Sequence, residues 1–204
     1  AASDGRRAVF RRQGRFWPGA VEERRLAGRP VAGTSPAFAR QYPPGSTFKI
    51  VTAAALLQAG SGTGTTVDCP GSIAIEGRRF HNYSGAPSGR MSLTRAFSVS
   101  CNTAFIGEAD RLPDGALVRT ARAFGFDGTQ PLPIASIGGD IAEPSSRAGS
   151  ALDAIGQGTV TVSPLHMASV AAAVAGGTWH QPHVLRGARH ASHPCLLYTS
   201  PSPR

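Results

Sequence analysis

Runs of apolar, helix-forming residues alternate in this chain with segments rich in Gly, Ser and Pro. After a Pro-Pro-Gly sequence, residues 47–58 form an almost unbroken helix-forming run that ends at Gly60. Apolar side chains cover every face of this run, so it predicts a helix buried inside a domain. Residues 61–90 predict loops and small hairpins, with a strand-like piece at 72–75.

The downstream half predicts further helices separated by loops. They are a helix capped by Ser92 that breaks at 98–100, one from Asn102, a short amphipathic one over 115–126, and one over 164–175 with Pro164 in its first turn. Residues 127–150 predict a loop. With 41% hydrophobic residues, the centre of the chain is long enough to bury one core, so a single domain or most of one is expected.

The positive charge of the chain lies at its two ends, whereas the central segment is neutral. The 204 residues carry a net charge of +9. Residues 1–40 hold nine Arg against three acids, residues 41–185 hold nine basic against nine acidic residues, and residues 186–204 hold three Arg and no acid. Nucleic-acid binding needs a cationic face on the folded domain. The neutral centre therefore makes a basic nucleic-acid-binding protein the weakest of the functions considered, and no nucleic-acid partner is expected.

The two ends differ in texture from the centre. Residues 1–40 lack helical or strand periodicity, so we expect little regular structure there. Two origins fit this basic segment equally: a divergent linker, or a GC-rich gene read in the wrong frame. Residues 186–204 are expected to be a non-native tail, because residues 195–204 resemble the translated read-through of a library adapter. No apolar run of the length that spans a membrane is present.

Two side chains at the start of the first helix can carry chemistry together. Lys49 is the only lysine in the chain, and Ser46 precedes it by three positions. On a helix this spacing places both side chains on one face. The apolar neighbours Phe48 and Ile50 would lower the pKa of Lys49 by desolvation, so that its neutral amine could accept the Ser46 proton. The alternative is an N-cap serine with a lysine that reaches solvent.

A second polar group lies at the break between two helices. The Ser100 hydroxyl could relay a proton, and the Asn102 amide could bind a substrate carbonyl or orient Lys49; an ordinary helix cap is the alternative. Cys69 and Cys101 could form a disulfide, or each could be a small buried residue. The six His show no metal-ligand spacing, so neither a metal nor a cofactor is expected.

Together these motifs resemble the penicillin-binding protein transpeptidase family, whose signature is S-x-x-K, then S-x-N, then K-T-G. Residues 42–51 resemble the nucleophile segment of the family, and residues 96–105 resemble its second motif with its flanks. Residues 156–168 resemble its Gly-Gln-Gly turn and the helix that follows. The resemblance covers roughly residues 38–185 and is strongest to the class B, monofunctional D,D-transpeptidases.

The resemblance implies an α+β fold, related to serine β-lactamases, of which residues 41–185 would form a partial domain: mainly its helical part, with an incomplete antiparallel sheet. It implies acyl transfer on the D-Ala-D-Ala end of peptidoglycan stem peptides. Ser46 would be the nucleophile, Lys49 the base and Ser100 the proton relay to the leaving D-alanine. Asn102 would bind the substrate amide, and β-lactams would acylate Ser46.

The resemblance also implies a place at the extracytoplasmic face of the bacterial cell membrane, with cell-wall synthesis proteins as candidate partners. A β-lactamase or a β-lactam-sensing domain would use the same residues and is the main alternative.

One motif of the family is missing from the chain. No Lys follows Lys49, so K-T-G is not present. In the family, the K-T-G strand aligns the substrate and supplies the second oxyanion-hole N–H. Losing one oxyanion donor costs about 2.7–4 kcal/mol. This chain is therefore expected to be a fragment, truncated before K-T-G and close to inactive alone.

Overall fold

The computed structural model describes residues 35–83, 86–128, 132–184 and 192–194. The expectations for residues 1–34 and 195–204 lie outside this part of the chain. The helices are α1 (Pro36–Ala39), α2 (Lys49–Gln58), α3 (Leu93–Ser98), α4 (Asn102–Ala109), α5 (Ala116–Ala123), α6 (Arg147–Asp153) and α7 (Pro164–Gly176). A 3₁₀ turn, Gly45–Phe48, leads directly into α2.

The described strands are short and antiparallel. They are β1 (Thr66–Cys69), β2 (Ser72–Ile75), β3 (Arg78–His81), β4 (Gly89–Ser92), β5 (Gly139–Asp140), β6 (Thr161–Val162), β7 (Thr178–His180) and β8 (Ser192–Pro194). They associate in pairs, β1 with β4, β2 with β3, β5 with β6 and β7 with β8. The predicted α+β fold, with helices and only small pieces of antiparallel sheet, is confirmed.

Helix α2 runs between two apolar clusters. Val51 and Ala54 pack with Phe126 on one side, and Leu56 packs with Phe105 on the other. Every one of these side chains is at most 2% exposed. The prediction of a buried helix is confirmed for these two sides. A third side is half-buried and lines an open apolar groove of about 760 Å³, to which it contributes Ile50, Ala53 and Leu57.

Local capping signals account for most helix boundaries. The Ser92 hydroxyl accepts from the Arg95 N–H at 3.1 Å, as predicted for α3. The Ser163 hydroxyl caps α7, with Pro164 in its first turn, and Gly177 ends this helix in the left-handed conformation at φ 73°. Side-chain oxygens at these caps satisfy backbone N–H groups that have no partner within the helix.

One expectation for an irregular region was wrong. Within residues 127–150, predicted as a loop, α6 begins after Ser146, whose hydroxyl accepts from the Gly149 N–H at 3.0 Å. Residues 1–40 were expected to hold little regular structure, and the described part of that segment has one helical turn, α1, where the Ser35 hydroxyl accepts from the Ala37 N–H at 3.3 Å. Side-chain caps stabilise both short helices although neither segment has apolar periodicity. Within the described residues, none of the helices combines the length and apolarity needed to cross a membrane.

Candidate active site

Ser46 lies on the 3₁₀ turn that precedes α2, where its side chain is exposed. The sequence predicted an α-helix from residue 47, whereas the first turn is tighter. Because a 3₁₀ helix has three residues per turn, side chains at i and i+3 lie directly above one another. The Ser46 hydroxyl therefore sits over the side chain of Lys49, at the N-terminus of the helix, where the helix dipole favours negative charge.

A second segment, residues 154–156, packs against the turn that carries Ser46. The Gly45 N–H donates to the Gly156 carbonyl at 2.8 Å, and Gly45 is in the left-handed conformation at φ 55°. A Cβ on Gly156 would lie 2.1 Å from the Gly45 oxygen, so the two backbones meet where only glycine fits. One turn into α2, the Thr52 hydroxyl donates to the Ala154 carbonyl at 2.8 Å. Residues 154–156 thus support the turn that carries Ser46 on both sides of Lys49.

Lys49 is buried, with 1% of its surface exposed. Its Nζ lies 3.3 Å from Ser46 Oγ and 2.9 Å from Ser100 Oγ. It also donates to the Ser100 carbonyl at 2.8 Å and to Asn102 Oδ1 at 2.6 Å. Burial lowers the pKa of Lys49 to about 8. At pH 7 about a tenth of the molecules therefore carry a neutral amine at Lys49, within reach of both hydroxyls.

The turn between α3 and α4 supplies the remaining groups. Ser100 has φ 55°, a left-handed conformation that non-glycine residues rarely adopt. This conformation turns both its carbonyl and its hydroxyl toward Lys49. The next residue, Cys101, is disulfide-bonded to Cys69 at the end of β1, with 6.2 Å between the Cα atoms. Of the two alternatives for these cysteines, the disulfide is the one present.

The structure brings all four predicted site residues together. The hydroxyls of Ser46 and Ser100 and the amide oxygen of Asn102 converge on one nitrogen, that of Lys49. A lysine that reaches solvent is excluded, because Lys49 is buried. The arrangement can move a proton from Ser46 to Lys49 and on to Ser100 without rearrangement of the backbone. The catalytic and substrate-binding roles of the four residues stay predictions.

The sequence did not indicate how the Gly156 turn is built. Asp153 Oδ1 accepts from the Thr159 N–H at 2.8 Å and from its hydroxyl at 3.0 Å, which closes the loop that carries Gly156. Asp153 is 1% exposed, and among the residues that the structure describes its Oδ2 has no hydrogen-bond partner. Burial raises the pKa of this carboxyl. The available signal was the Gly-Gln-Gly motif itself, which predicted a turn but not its contact with Ser46.

No metal centre accompanies the site in the part of the chain that the structure describes. Across residues 35–83, 86–128 and 132–184, no three His, Cys, Asp or Glu side chains are grouped so that they could hold a metal ion. The lone pairs and protons near Ser46 come from Lys49, Ser100 and Asn102. The chemistry that these side chains offer is acid–base and nucleophilic.

Comparison with known proteins gives a consistent result. The family model described as penicillin binding protein transpeptidase domain matches residues 20–202. The peptidoglycan D,D-transpeptidase PbpA of Mycobacterium tuberculosis is 38% identical over 173 residues, which are 79% of this chain and 34% of that protein. The stage V sporulation protein D of Bacillus subtilis is 32% identical over 151 residues, 71% of this chain and 23% of that protein.

Solved structures agree with the sequence relatives. The imipenem acyl-enzyme complex of penicillin-binding protein A from M. tuberculosis superposes with a TM-score of 0.70 at 36% identity, covering 80% of this chain and 39% of that one. The transpeptidase domain of a peptidoglycan glycosyltransferase from Eggerthella lenta gives a TM-score of 0.68 at 27% identity. This match covers 80% of this chain and 44% of that one. The chain spans about a third of the length of the PbpA relative, 34%.

Proposed function

Because the chain belongs to the penicillin-binding protein transpeptidase domain family, we propose that it carries the nucleophile of a class B serine D,D-transpeptidase. The observation that carries the proposal is the position of the Lys49 nitrogen. It is buried, 3.3 Å from the hydroxyl of Ser46 and 2.9 Å from that of Ser100. A serine hydroxyl beside a partly neutral amine is the arrangement that an acyl-enzyme mechanism requires.

The proposed reaction proceeds in two steps. Neutral Lys49 accepts the Ser46 proton while Oγ forms a bond to the carbonyl carbon of the penultimate D-alanine in a stem peptide. The bond from that carbon to the nitrogen of the terminal D-alanine then breaks, and this nitrogen receives the proton through Ser100. An amine of a second stem peptide attacks the resulting ester, which forms the cross-link and returns a proton to Ser46. Asn102 would bind the substrate amide during both steps.

β-Lactams are the second proposed class of ligand. Their strained amide offers the same carbonyl to Ser46, but its nitrogen stays attached to the acyl group after the bond breaks. No leaving group departs, so the ester persists. Support comes from the M. tuberculosis relative, whose solved structure is an acyl-enzyme complex with imipenem. The proposal needs neither a metal nor a cofactor.

The setting of the reaction follows from its substrate. Peptidoglycan stem peptides are cross-linked outside the cytoplasm, so we propose that this domain works at the extracytoplasmic face of the bacterial cell membrane. Other cell-wall synthesis proteins are its proposed protein partners. A β-lactamase or a β-lactam sensor would use the same Ser46 and Lys49, and the lifetime of the acyl-enzyme separates these activities: rapid β-lactam turnover would contradict a transpeptidase.

Labelling with a fluorescent penicillin tests the nucleophile. We expect slow covalent labelling of the chain, seen as a mass increase equal to one penicillin, and no labelling of Ser46→Ala. Because the chain lacks K-T-G, the same pair is compared after extension with a K-T-G strand from a family member, where labelling should be faster. Labelling unchanged by Ser46→Ala, or none in the extended wild type, would refute the assignment.

A further inference from the structure

The residue that follows β3 makes an unusual set of contacts with a distant helix. Asn82 Oδ1 accepts from the Thr103 N–H at 3.1 Å. Its Nδ2 donates to the Pro70 carbonyl at 2.9 Å and to Thr103 Oγ1 at 3.1 Å. One partly buried side chain therefore joins the end of β3, the segment after β1 and the first turn of α4.

These contacts complete the N-terminal cap of α4. Cys101 occupies the N-cap position, and its sulfur, which is disulfide-bonded to Cys69, accepts from the Ala104 N–H at 3.2 Å. Sulfur is a weak acceptor compared with the Ser, Thr, Asp or Asn oxygens preferred at this position. The Thr103 N–H, one of the helix donors without an intrahelical partner, is satisfied by Asn82 from 21 residues away. The cap of α4 is thus shared between the local sulfur of Cys101 and the amide oxygen of Asn82 from another segment.

Thr103 completes the arrangement. Its hydroxyl donates to the Pro70 carbonyl at 2.7 Å and accepts from the amide of Asn82. Thr103 is 1% exposed, so a polar group here must be hydrogen-bonded. The amide orientation of Asn82 is determined by these partners, because the reverse orientation would place its NH₂ against the Thr103 N–H.

The same strand end also contacts the predicted substrate-binding residue. Asn102 Nδ2 donates to the His81 carbonyl at 3.3 Å, which directs Asn102 Oδ1 toward Lys49 at 2.6 Å. His81 and Asn82 are adjacent, and so are Asn102 and Thr103. His81, at the end of β3, and Asn82, the residue after it, therefore contact Asn102 and Thr103 at the start of α4. These contacts lie directly beside the turn that contains Ser100.

We propose that Asn82 is a positioning residue of the active site, which acts through Thr103 to hold the Ser100–Asn102 turn against Lys49. Asn82 is not itself in contact with Lys49 or Ser46. The inference rests on the proposed function only in treating Lys49 and its neighbours as the active site. The hydrogen bonds of Asn82 are present whatever the reaction is. If Asn82 serves only to anchor the β2–β3 hairpin, its loss should leave the surroundings of Lys49 unchanged.

The single lysine of the chain provides a direct readout. Protein labelled with carbon-13 lysine gives one Cε resonance, whose titration reports the pKa of Lys49 without an assignment experiment. Asn82→Ala should let the turn move away and water reach the amine, so we expect the measured pKa to rise by about half a pH unit or more. Thr103→Val removes the hydroxyl that bonds to Asn82 and Pro70, with little change in side-chain shape. It should also raise the measured pKa of Lys49.

Matched variants separate positioning from general loosening. Thr120→Val removes a hydrogen bond of 2.9 Å to Gln58, at the far end of α2, and should leave the lysine titration unchanged. Thr103→Ser keeps the hydroxyl and should restore the wild-type value. An unchanged titration in both Asn82→Ala and Thr103→Val, or an equal shift in Thr120→Val, overturns the proposal. Failure of penicillin to label Ser46 would refute the proposed function and leave this result standing.

Discussion

At the scale of single residues, we expect Lys49 to determine how the reactivity of Ser46 depends on pH. Burial lowers its pKa to about 8, so below that pH most molecules carry an ammonium that cannot accept the Ser46 proton. We predict that the rate of Ser46 acylation by a penicillin rises about tenfold per pH unit between about pH 6 and 7.5 and levels off above about pH 8. Time-resolved mass spectrometry of the labelled protein measures this profile.

A substitution at the same position checks the cause of the profile. Lys49→Arg keeps a positive charge but holds its proton at all relevant pH values. Acylation in this variant should fall by about 10² or more, as expected for loss of a general base. A flat profile in the wild type, or ordinary labelling of Lys49→Arg, would show that another group accepts the proton.

At the scale of elements, the turn that contains Gly156 supports the turn that carries Ser46 through contact of two backbones. Gly156→Ala would place a Cβ 2.1 Å from the Gly45 oxygen and 2.8 Å from Phe48 Cβ, at φ 70°. We predict a loss of several kcal/mol in the free energy of unfolding, on the order of 3 kcal/mol, because both overpacking and left-handed strain act. Ser46 labelling should fall as well, since Gly45 must shift.

Gly177→Ala is the matched control for this substitution. Gly177 has a similar φ of 73°, yet a Cβ there would meet no atom within 4 Å. Its cost should be limited to the backbone strain of about 1–2 kcal/mol, with labelling of Ser46 retained. Urea denaturation of both variants measures the difference. Equal destabilisation would mean that the contact with Gly45 adds nothing to the strain.

The elements also show which information the sequence contains. Helices with a local cap and apolar residues, such as α3 after Ser92 and α7 after Ser163, were predicted at their correct starts. The helix α6 was not, because its seven residues include Gly149 and lack an apolar stripe. The spacing of Ser46 and Lys49 predicted that these two side chains lie together, and the resemblance to the family implied that Ser100 joins them. The contact of Asn82 with Thr103 was not, since a bond across 21 residues leaves no periodic signal.

At the scale of the whole molecule, α2 takes part in two of the three apolar clusters that the described residues form. Residues of α2 belong to two separate apolar clusters, one with Phe126 and Val160 and the other with Val67 and Phe105. Lys49, at the N-terminus of α2, is therefore held by packing on both sides. The low pKa of its amine is a consequence of the global fold. Conditions that loosen the core should consequently impair the active site before the helices themselves unfold.

His166 makes this core sensitive to acid. Its ring is 1% exposed and packs edge-on against Phe126, with 4.8 Å between ring centroids. Burial lowers the pKa of His166 to about 4, although the Phe124 carbonyl favours the protonated ring. Within the described residues, its Nε2 has no hydrogen-bond partner, so a proton gained there would be poorly accommodated.

The unfolded chain therefore binds more protons at this site than the folded one between about pH 6.5 and 4. Above about pH 6.5, His166 is neutral in both states and does not reduce the free energy of unfolding. As the pH falls from about 6.5 to 4, protonation of the unfolded chain lowers the free energy of unfolding by about 3 kcal/mol. Urea denaturation at pH 7 and pH 4 should show this loss in the wild type. His166→Leu, of similar size, should lose about 3 kcal/mol less over the same interval. Asp153, whose raised pKa acts in the opposite direction, is common to both proteins, so an equal acid loss in the two would exclude His166 as the cause.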